Sequence, residues 1–550
     1  MTHVYCLAGT PIRETFAKCA ELAMRPIGVR HQQAGVLMAL AQNYLAGRLT
    51  AVSLLSAGPA ITNAATGILV ARDNCWPLVV LGGRRPLSMR GMGSFQELDA
   101  ALLFQSITKW SAVVEETSQI PPLLEKAFQI AISGRPGPVY LDLPEDVLSG
   151  SGVARNVCAE RSSVPVADDT SIARAAELLS RAERPAMIIG KGVRWSEPYA
   201  ELRALTDEFA IPFITSPMGR GFLPEDHPLC FNDARGPLQC AADVILLLGA
   251  RLDWTFRFGA EFARNAQVIQ IDIEPGEIGA NKAATVGITG DVKCVLQGIL
   301  QRLREKRRVS PVEASKIWYD QLSGQRKANR HRIRTLLNND VLPMSPYRML
   351  KEIHEFLPKD AITILDGNVC MAAAQQVLPS FLPASRLTAG NNGCMGVGIP
   401  FGIGAKLCQP ERLVLVVCGD TAVGFNIVEL ETAARHRIPI IVVVANNQGN
   451  TGGLVEKAYF GAGPERITMY QPELSYDKIA AAFGVYAEHV EYPGELLAAL
   501  KRAVASGQAA CIDVKVDPYA AYPTDFDATD GRAINFRASS MENPTSPMEG

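Results

Sequence analysis

Short apolar runs recur along the 550-residue chain and are separated by stretches long enough for helices. In the last third, Leu413–Val417 and Ile440–Val444 are continuously apolar, and Phe425–His436 between them has helical periodicity. Continuous apolar runs of this length predict parallel strands that are buried on both faces. The alternation therefore predicts strand–helix–strand units with right-handed crossovers.

The same alternation divides the chain into three blocks. Strand-like runs lie at Val52–Leu55, Leu78–Leu81 and Val139–Leu143 in the first block, and at Ala186–Gly190, Val244–Gly249 and Val268–Asp272 in the second. We predict an α/β protein with three doubly wound parallel-sheet domains, at residues 1–150, 165–325 and 345–518. Residues 519–550 lack periodicity and are predicted to form a tail that is either disordered or draped over the surface.

Composition narrows the possible partners. The net charge of −2 gives no reason to expect nucleic-acid or membrane-surface binding, and no apolar run is long enough to span a membrane. The twelve cysteines include no Cys-x-x-Cys pair, which is typical of reduced thiols in a cytoplasmic protein. We therefore expect a cytoplasmic protein that acts on a small-molecule substrate, without nucleic acid or membrane.

Polar residues follow both apolar runs of the third block. Gly419-Asp420 ends the first run, and Asn446-Asn447 ends the second, with Asn447 placed 27 positions after Asp420. Ligand sites in open α/β sheets lie at the carboxyl ends of strands. A carboxylate and an amide at two such ends can hold Mg²⁺, which takes oxygen ligands and shares them with phosphates.

This arrangement resembles the Gly-Asp…Asn-Asn signature of thiamine diphosphate (ThDP) enzymes. The resemblance implies that Asp420, Asn447 and the backbone carbonyl of Gly449 hold Mg²⁺ against the diphosphate of ThDP. Three neighbours in the same motif are expected to bind the cofactor as well, namely Gly419, Thr421 and Ala422.

A glycine-dense segment precedes this motif. Gly390–Pro400 is similar to the family's Gly-x-Met-Gly-x-Gly stretch, in which an apolar side chain forces the two rings of ThDP into a V. The resemblance assigns that role to Met395 and a cofactor contact to Gly393. Asn368 follows the strand-like Ile362–Leu365 and either donates to the diphosphate or closes an Asx-turn.

The first block resembles the family at three loops. Ser56–Asn63 is similar to a Gly-Pro-Gly-x-x-Asn loop, which implies cofactor contacts for Gly58 and Pro59, although Ala60 replaces the last glycine. Phe95–Glu97 resembles an active-site segment that would direct Gln96 to the reacting carbonyl. Val29–Ala34 resembles an Arg-His-Glu segment.

In that third loop Gln32 stands where the family has glutamate. The family's glutamate bonds N1′ of the aminopyrimidine and relays a proton, whereas an amide can only bond it. Three interpretations stay open: an active enzyme that tolerates the change, a variant with impaired activity, or a ThDP-binding scaffold without turnover. His31 is either an acid on the substrate side or a packed neighbour.

The order of the three blocks resembles the ThDP decarboxylase and carboligase superfamily, with pyrimidine-binding, central and diphosphate-binding domains. The resemblance implies a homodimer or homotetramer with active sites at the subunit interface. Three stretches resemble 2-hydroxyacyl-CoA lyases and oxalyl-CoA decarboxylases: Gly93–Glu97, Gly219–Pro228 and Gly249–Trp254. The resemblance favours a lyase or ligase that splits or forms a 2-hydroxyacyl-CoA, with formyl-CoA and an aldehyde or ketone as the fragments.

An acyl-CoA substrate needs cations for its phosphates. The candidates are Lys191, Arg194, Arg220, Arg251, Arg257, Arg532 and Arg537, and a segment from Tyr519 onward is a candidate lid. Val369 and Cys370 depart from the CoA-using pattern, and Gln448–Gly453 also resembles benzaldehyde lyase-like enzymes. An acetolactate synthase-like or benzaldehyde lyase-like carboligase is therefore the alternative. Gly190-Lys191-Gly192 is too short to predict NAD, and a different nucleotide in the central block stays open.

Overall fold

The computed structural model describes residues 1–153, 156, 165–305, 313–450, 452–453, 456–460 and 466–520, with backbone alone for 313–315, 368–370 and 458–459. Three parallel sheets of six, five and six strands, flanked by helices, confirm the predicted α/β fold. Their strands fall inside the three predicted ranges, while the exact domain boundaries stay a prediction. Within the described ranges, no helix is both long and apolar enough to cross a bilayer.

The first sheet has the strand order β2-β1-β3-β4-β6-β5. Its strands are β1 His3–Cys6, β2 Arg25–Gly28, β3 Ala51–Leu55, β4 Leu78–Arg84, β5 Trp110–Val113 and β6 Pro138–Pro144, and its helices are α1 Arg13–Glu21, α2 Gln32–Ala46, α3 Pro59–Asn74, α4 Ala100–Phe104, α5 Ile120–Ile132 and α6 Glu145–Leu148. The winding direction reverses between β1 and β3, so a crevice opens beyond the carboxyl ends of these two strands.

The central sheet has the order β11-β10-β9-β7-β8. Its strands are β7 Pro185–Ile189, β8 Phe213–Thr215, β9 Val244–Leu248, β10 Gln267–Asp272 and β11 Val286–Thr289, and its helices are α7 Asp169–Arg181, α8 Tyr199–Asp207, α9 Arg235–Ala241 and α10 Val292–Glu305. A long helix, α11 Glu313–Leu337, follows this sheet and packs its Trp318 and Leu322 into the central core.

The third sheet has the order β13-β12-β14-β15-β17-β16. Its strands are β12 Ile362–Asp366, β13 Arg386–Thr388, β14 Val414–Gly419, β15 Ile441–Asn446, β16 Tyr486–Val490 and β17 Ala510–Lys515, and its helices are α12 Pro346–Phe356, α13 Asn368–Val377, α14 Gly398–Cys408, α15 Asp420–Asn426, α16 Glu429–Arg435, α17 Tyr476–Ala482 and α18 Glu495–Ser506. The winding reverses between β12 and β14, and the Gly-Asp motif lies at that reversal.

The first and third domains pack directly on each other through α2 and α14. Helix α2 is buried on nearly all sides, as expected for a helix enclosed between two domains. At the crossing, a Cβ atom on Gly404 would lie 2.2 Å from the carbonyl oxygen of Met38, so the two backbones approach closely. This contact positions the start of α2, where Gln32 lies, relative to the diphosphate-binding domain.

Candidate active site

Three oxygen atoms converge where β14 and β15 end. Asp420 begins α15 directly after β14, and Asn447 directly follows β15. The side-chain oxygen of Asn447 lies 3.1 Å from Oδ2 of Asp420 and 2.8 Å from the carbonyl oxygen of Gly449. Oxygen atoms at these separations repel one another unless a cation or a hydrogen lies between them.

The spacing of these oxygens suits an octahedral metal ion. Mg²⁺ binds oxygen at about 2.1 Å, which places neighbouring ligand oxygens about 3.0 Å apart. The two separations at Asn447 lie on either side of this value. If its amide is rotated by 180°, the nitrogen instead donates to Asp420 and to the Gly449 carbonyl. The three predicted metal residues therefore come together and fit a divalent cation.

Asp420 lies in a nearly closed environment. Its side chain is 2% exposed, and Oδ2 accepts a hydrogen bond of 2.9 Å from the backbone N–H of Gly449. Burial raises the pKa of Asp420 to about 6, although N–H groups of Gly449 and Thr421 partly offset this. A nearby cation would favour the charged carboxylate. The other predicted residues of the motif are neighbours of Asp420. Gly419 is the N-cap residue of α15, and the Thr421 hydroxyl accepts a hydrogen bond from the Tyr470 hydroxyl. Ala422 is buried in the first turn of the same helix.

The glycine-dense segment forms a turn that presents Met395. The carboxylate of Asp366, at the end of β12, accepts hydrogen bonds from the N–H groups of Gly396 (3.2 Å) and Gly398 (2.7 Å). The amide of Asn426 donates to the Gly396 carbonyl at 2.6 Å. Met395 is half-buried between these anchors. Gly393 has a φ of +66° and open space where a Cβ would lie, so this turn leaves room beside Met395.

A second group of predicted residues lies at the carboxyl edge of the first sheet. Gly58 has a φ of +56°, and a Cβ there would lie 2.7 Å from Cβ of Gln96. Pro59 begins α3 directly after it. The loop of Gln96 is held by the Glu97 carboxylate, which accepts from the N–H groups of Gly93 and Ser94, both at 3.1 Å. Gly58, Pro59 and Gln96 are thus neighbours in space.

Gln32 and His31 lie at the start of α2. Oε1 of Gln32, which is 9% exposed, accepts a hydrogen bond of 3.0 Å from the amide of Asn63. Nδ1 of His31 accepts from the N–H of Gln33 and caps the helix. Burial lowers the pKa of His31, which favours the neutral imidazole that this cap requires. The catalytic roles predicted for the two residues stay predictions.

Sequence reasoning missed Glu429, which joins the two domains at this point. Its carboxylate is completely buried and accepts from the backbone N–H groups of Arg30 (3.0 Å) and His31 (2.9 Å) and from the Thr432 hydroxyl (2.7 Å). Burial raises the pKa of Glu429 to about 7. The contact spans 398 positions of the chain, so no local pattern could have revealed it.

Replacing Glu429 by glutamine is expected to loosen the first turn of α2. The amide would keep one acceptor and place N–H groups against the N–H groups of Arg30 or His31. An unsatisfied buried polar group costs about 1–3 kcal/mol, so we expect amide hydrogen exchange over residues 28–34 to rise about tenfold or more in the cofactor-free protein. The matched control is Glu355→Gln on α12, whose half-exposed carboxylate pairs with Lys351 of the same helix. Equal exchange in both variants would contradict this role.

Several predicted residues cannot be placed at the site. Two groups lie outside the described residues. The first is the side chains of Asn368, Val369 and Cys370 together with Thr451 of the Gln448–Gly453 stretch. The second is the tail from residue 521 to 550, which includes Arg532 and Arg537. The residue just before the tail contacts the loop that follows Asn447, because the N–H of Gly453 donates to the Pro518 carbonyl at 2.8 Å. The predicted lid stays a prediction.

The other candidate cations for CoA already have protein partners. Arg194 donates to the Tyr44 and Leu45 carbonyls, and Arg220 pairs with Glu225. The remaining three pairs are Lys191 with the Asp73 carbonyl, Arg251 with Glu277 and Arg257 with Glu261. Arg194 and Arg220 are buried, so their visible role is to hold the packing between elements.

Comparisons with known proteins agree with this geometry. Residues 1–103 match the thiamine pyrophosphate enzyme N-terminal TPP binding domain, residues 172–299 the central domain, and residues 366–514 the C-terminal TPP binding domain. The chain is 32% identical to 2-hydroxyacyl-CoA lyase 1 of Mus musculus in an alignment of 539 positions that covers 94% of this chain and 91% of that protein.

Two further relatives carry different names. Acetolactate synthase large subunit IlvG of Mycobacterium tuberculosis is 32% identical, with 94% of each chain covered. Oxalyl-CoA decarboxylase of Escherichia coli K12 is 30% identical, with 94% of this chain and 92% of that protein covered. With all three domain models matched in order and relatives aligned over almost its whole length, this chain belongs to the thiamine diphosphate-dependent enzymes.

Proposed function

We propose that this enzyme splits or forms the carbon–carbon bond of a 2-hydroxyacyl-CoA, with formyl-CoA and an aldehyde or ketone as the fragments. The observation that carries the cofactor part is the trio of oxygens at Asp420, Asn447 and Gly449, which would hold Mg²⁺ beside the diphosphate. The support for the substrate is the alignment with 2-hydroxyacyl-CoA lyases over 94% of the chain.

Bound ThDP supplies a nucleophilic carbon and an electron sink for such a reaction. In this proposal Met395 would contact ThDP from the turn that Asp366 anchors. The amide of Gln32 contacts N1′, and Gln96 is directed to the substrate carbonyl. His31 enters the site as a neutral imidazole, because its Nδ1 accepts the helix-capping hydrogen bond. Gly58 and Pro59, which lie beside Gln96, would contact the cofactor.

We further propose that a second copy of the chain completes each site, in a homodimer or homotetramer. The metal oxygens belong to the third domain, whereas Gln32, Gly58 and Gln96 belong to the first. Apolar side chains are exposed beside both groups: Phe95 is 74% exposed next to Gln96, and Phe425 is 56% exposed against the Met395 turn. Exposed aromatic residues that border polar sites are typical of subunit interfaces.

A cytoplasmic location is part of the same proposal. Its support is chemical, since eight described cysteines, Cys6, Cys19, Cys75, Cys230, Cys294, Cys394, Cys408 and Cys511, are free thiols, and free thiols persist in reducing compartments.

The alternative substrate class is a 2-oxo acid or a free aldehyde, in a carboligase of the acetolactate synthase or benzaldehyde lyase type. It has a specific observation in its favour, because the acetolactate synthase relative is as similar in sequence as the CoA lyases are. Identity at this level therefore does not separate the two classes.

Incubating the protein with ThDP, Mg²⁺, formyl-CoA and a ketone separates them. We expect a 2-hydroxyacyl-CoA, detected by mass spectrometry, and no CO₂ from pyruvate in a parallel reaction. The Asp420→Ala protein serves as the matched blank in both reactions. Release of CO₂ from pyruvate without a CoA product would refute the CoA proposal and support the alternative.

A further inference from the structure

Three side chains converge beside the last two strands of the third sheet, β17 and β16. His489 and Asp513 are register partners on the parallel strands β16 and β17, and Asp477 lies on α17. Nδ1 of His489 lies 3.5 Å from Oδ2 of Asp513 and 3.9 Å from Oδ1 of Asp477. One potential ligand atom from each residue lies within 4.8 Å of the other two. We call these three residues the edge site.

Two oxygens of the edge site have unmet bonding capacity. Asp513 is fully buried, yet within the described part of the chain its Oδ1 accepts no hydrogen bond. The same holds there for Oδ1 of Asp477, the atom that faces the imidazole. Leaving a buried carboxylate oxygen without a donor is costly. Of these two oxygens, Oδ1 of Asp477 is the one that faces the imidazole, while the Asp513 oxygen nearest Nδ1 is Oδ2. The unsatisfied Asp477 oxygen therefore favours a cation beside the imidazole.

The imidazole of His489 is already oriented for such a cation. Its Nε2 lies 3.2 Å from a carboxylate oxygen of Glu491, and that carboxylate lies 3.5 Å from Nζ of Lys515. A carboxylate on one ring nitrogen fixes the tautomer and leaves the other nitrogen as a metal ligand. Here the other nitrogen is Nδ1, which faces both aspartates.

We propose that Asp477, His489 and Asp513 bind one divalent transition-metal ion of the Zn²⁺ class, separate from the metal at the cofactor. An imidazole together with carboxylates suits such ions, whereas Mg²⁺ and Ca²⁺ prefer oxygen ligands throughout. Tetrahedral Zn²⁺ with bonds of about 2.0–2.1 Å places its ligands about 3.4 Å apart. The two separations from Nδ1, 3.5 Å and 3.9 Å, require only a small closure, and the two aspartates offer oxygens within 4.8 Å of each other.

A proton is the competing occupant of the edge site. The hydrogen bond to Asp513 is the largest cause that raises the pKa of His489 to about 9, so a bound metal ion has to displace the imidazole proton. His489 is 36% exposed, which leaves an entry path for the ion and a position for a water ligand.

The edge site is also connected to the cofactor loop. Oδ2 of Asp513 accepts hydrogen bonds from the Asn446 amide (3.3 Å) and from the N–H of Tyr476 (3.0 Å). Asn446 directly precedes Asn447. A metal ion bound to Asp513 would therefore stiffen the loop that presents the Asn447 amide.

The test is calorimetric titration of the metal-stripped, cofactor-free full chain with Zn²⁺ alone. The Asp420→Asn protein serves as the background, because it removes the carboxylate of the cofactor metal site. We expect one Zn²⁺ per chain, with affinity reduced at least tenfold by His489→Asn and by Asp477→Asn. The matched control is His227→Asn, because His227 is a histidine with one carboxylate partner, Asp207.

Bound Co²⁺ gives an independent readout, since its visible absorption reports coordination by the protein. Two variants are used so that poor folding of one leaves the comparison intact. Two results would overturn the proposal: no heat and no Co²⁺ absorption with the background protein, or equal metal binding by all variants. The three side chains would then form only an ion pair between protonated His489 and Asp513. Because ThDP is absent throughout, the result is independent of the proposed reaction.

Discussion

Replacing Asp420 by alanine is expected to weaken ThDP binding by about 100-fold or more in the presence of Mg²⁺. The variant removes the one anionic member of the oxygen trio and leaves only neutral amide and carbonyl oxygens as protein ligands for the cation. Even outer contacts of a metal site are typically worth 10-fold to 100-fold in affinity. Calorimetry with ThDP and Mg²⁺ measures the loss directly.

Thermal unfolding distinguishes loss of the site from loss of the fold. A ligand that binds only the folded state stabilises it by RT ln(1 + [L]/Kd), about 2.7 kcal/mol at 100 times Kd. We expect that gain for the unaltered protein and almost none for Asp420→Ala. The isosteric Asp420→Asn protein keeps its shape and loses a desolvated charge, but its amide can accept from only one of the N–H groups of Thr421 and Gly449. Without cofactor it should therefore be folded and unfold a few degrees below the unaltered protein.

The matched control for both Asp420 variants is Asp226→Asn. Asp226 is a half-exposed carboxylate that pairs with Lys359, on the surface. This control should keep full cofactor binding. Retention of tight ThDP binding by both Asp420 variants would contradict the assignment of the metal site.

Replacing Gln32 by glutamate is expected to accelerate hydrogen–deuterium exchange at C2 of bound ThDP by about 10²-fold or more. General acid–base groups in position contribute typically 10²–10⁴-fold, and an amide cannot exchange a proton with N1′. The site accommodates the change, because one carboxylate oxygen can keep the 3.0 Å hydrogen bond from Asn63. Quenched-flow NMR of the bound cofactor measures the rate.

Gln33→Glu is the control for this prediction, since it adds the same charge one residue along α2. It should leave the exchange rate nearly unchanged. An equal rate for the original protein and the Gln32→Glu variant would mean that Gln32 does not contact N1′. The same experiment also tests the three interpretations of Gln32, because an active enzyme that tolerates the amide already exchanges C2–H faster than free ThDP does.

The strands were predicted well from the sequence, because a parallel strand that is buried on both faces consists of consecutive apolar residues. The runs Leu413–Val417 and Ile440–Val444 overlap strands β14 and β15, and each run starts one residue before its strand. The helix between them was predicted less accurately. The single helix expected at Phe425–His436 is two helices, α15 and α16, and α15 already begins at Asp420. Periodicity alone did not show that the motif's aspartate is helical.

The anchors of the site were harder to foresee. The sequence analysis assigned no role to Asp366, yet its carboxylate holds the turn that carries Met395. Both contacts connect residues about thirty positions apart. Hydrogen bonds of that range depend on the sheet order, which a local pattern does not contain.

The sequence by itself determined the three α/β blocks, the family and the pairing of Asp420 with Asn447, because apolar runs and motif spacing are properties of neighbouring residues. Only the tertiary structure decided that Glu429 caps the loop before Gln32, that Gly58 lies against Gln96, and that His489 meets two aspartates. These contacts arise when sheets and helices from distant segments pack together. Their distances and burial are set by that packing and not by chain order.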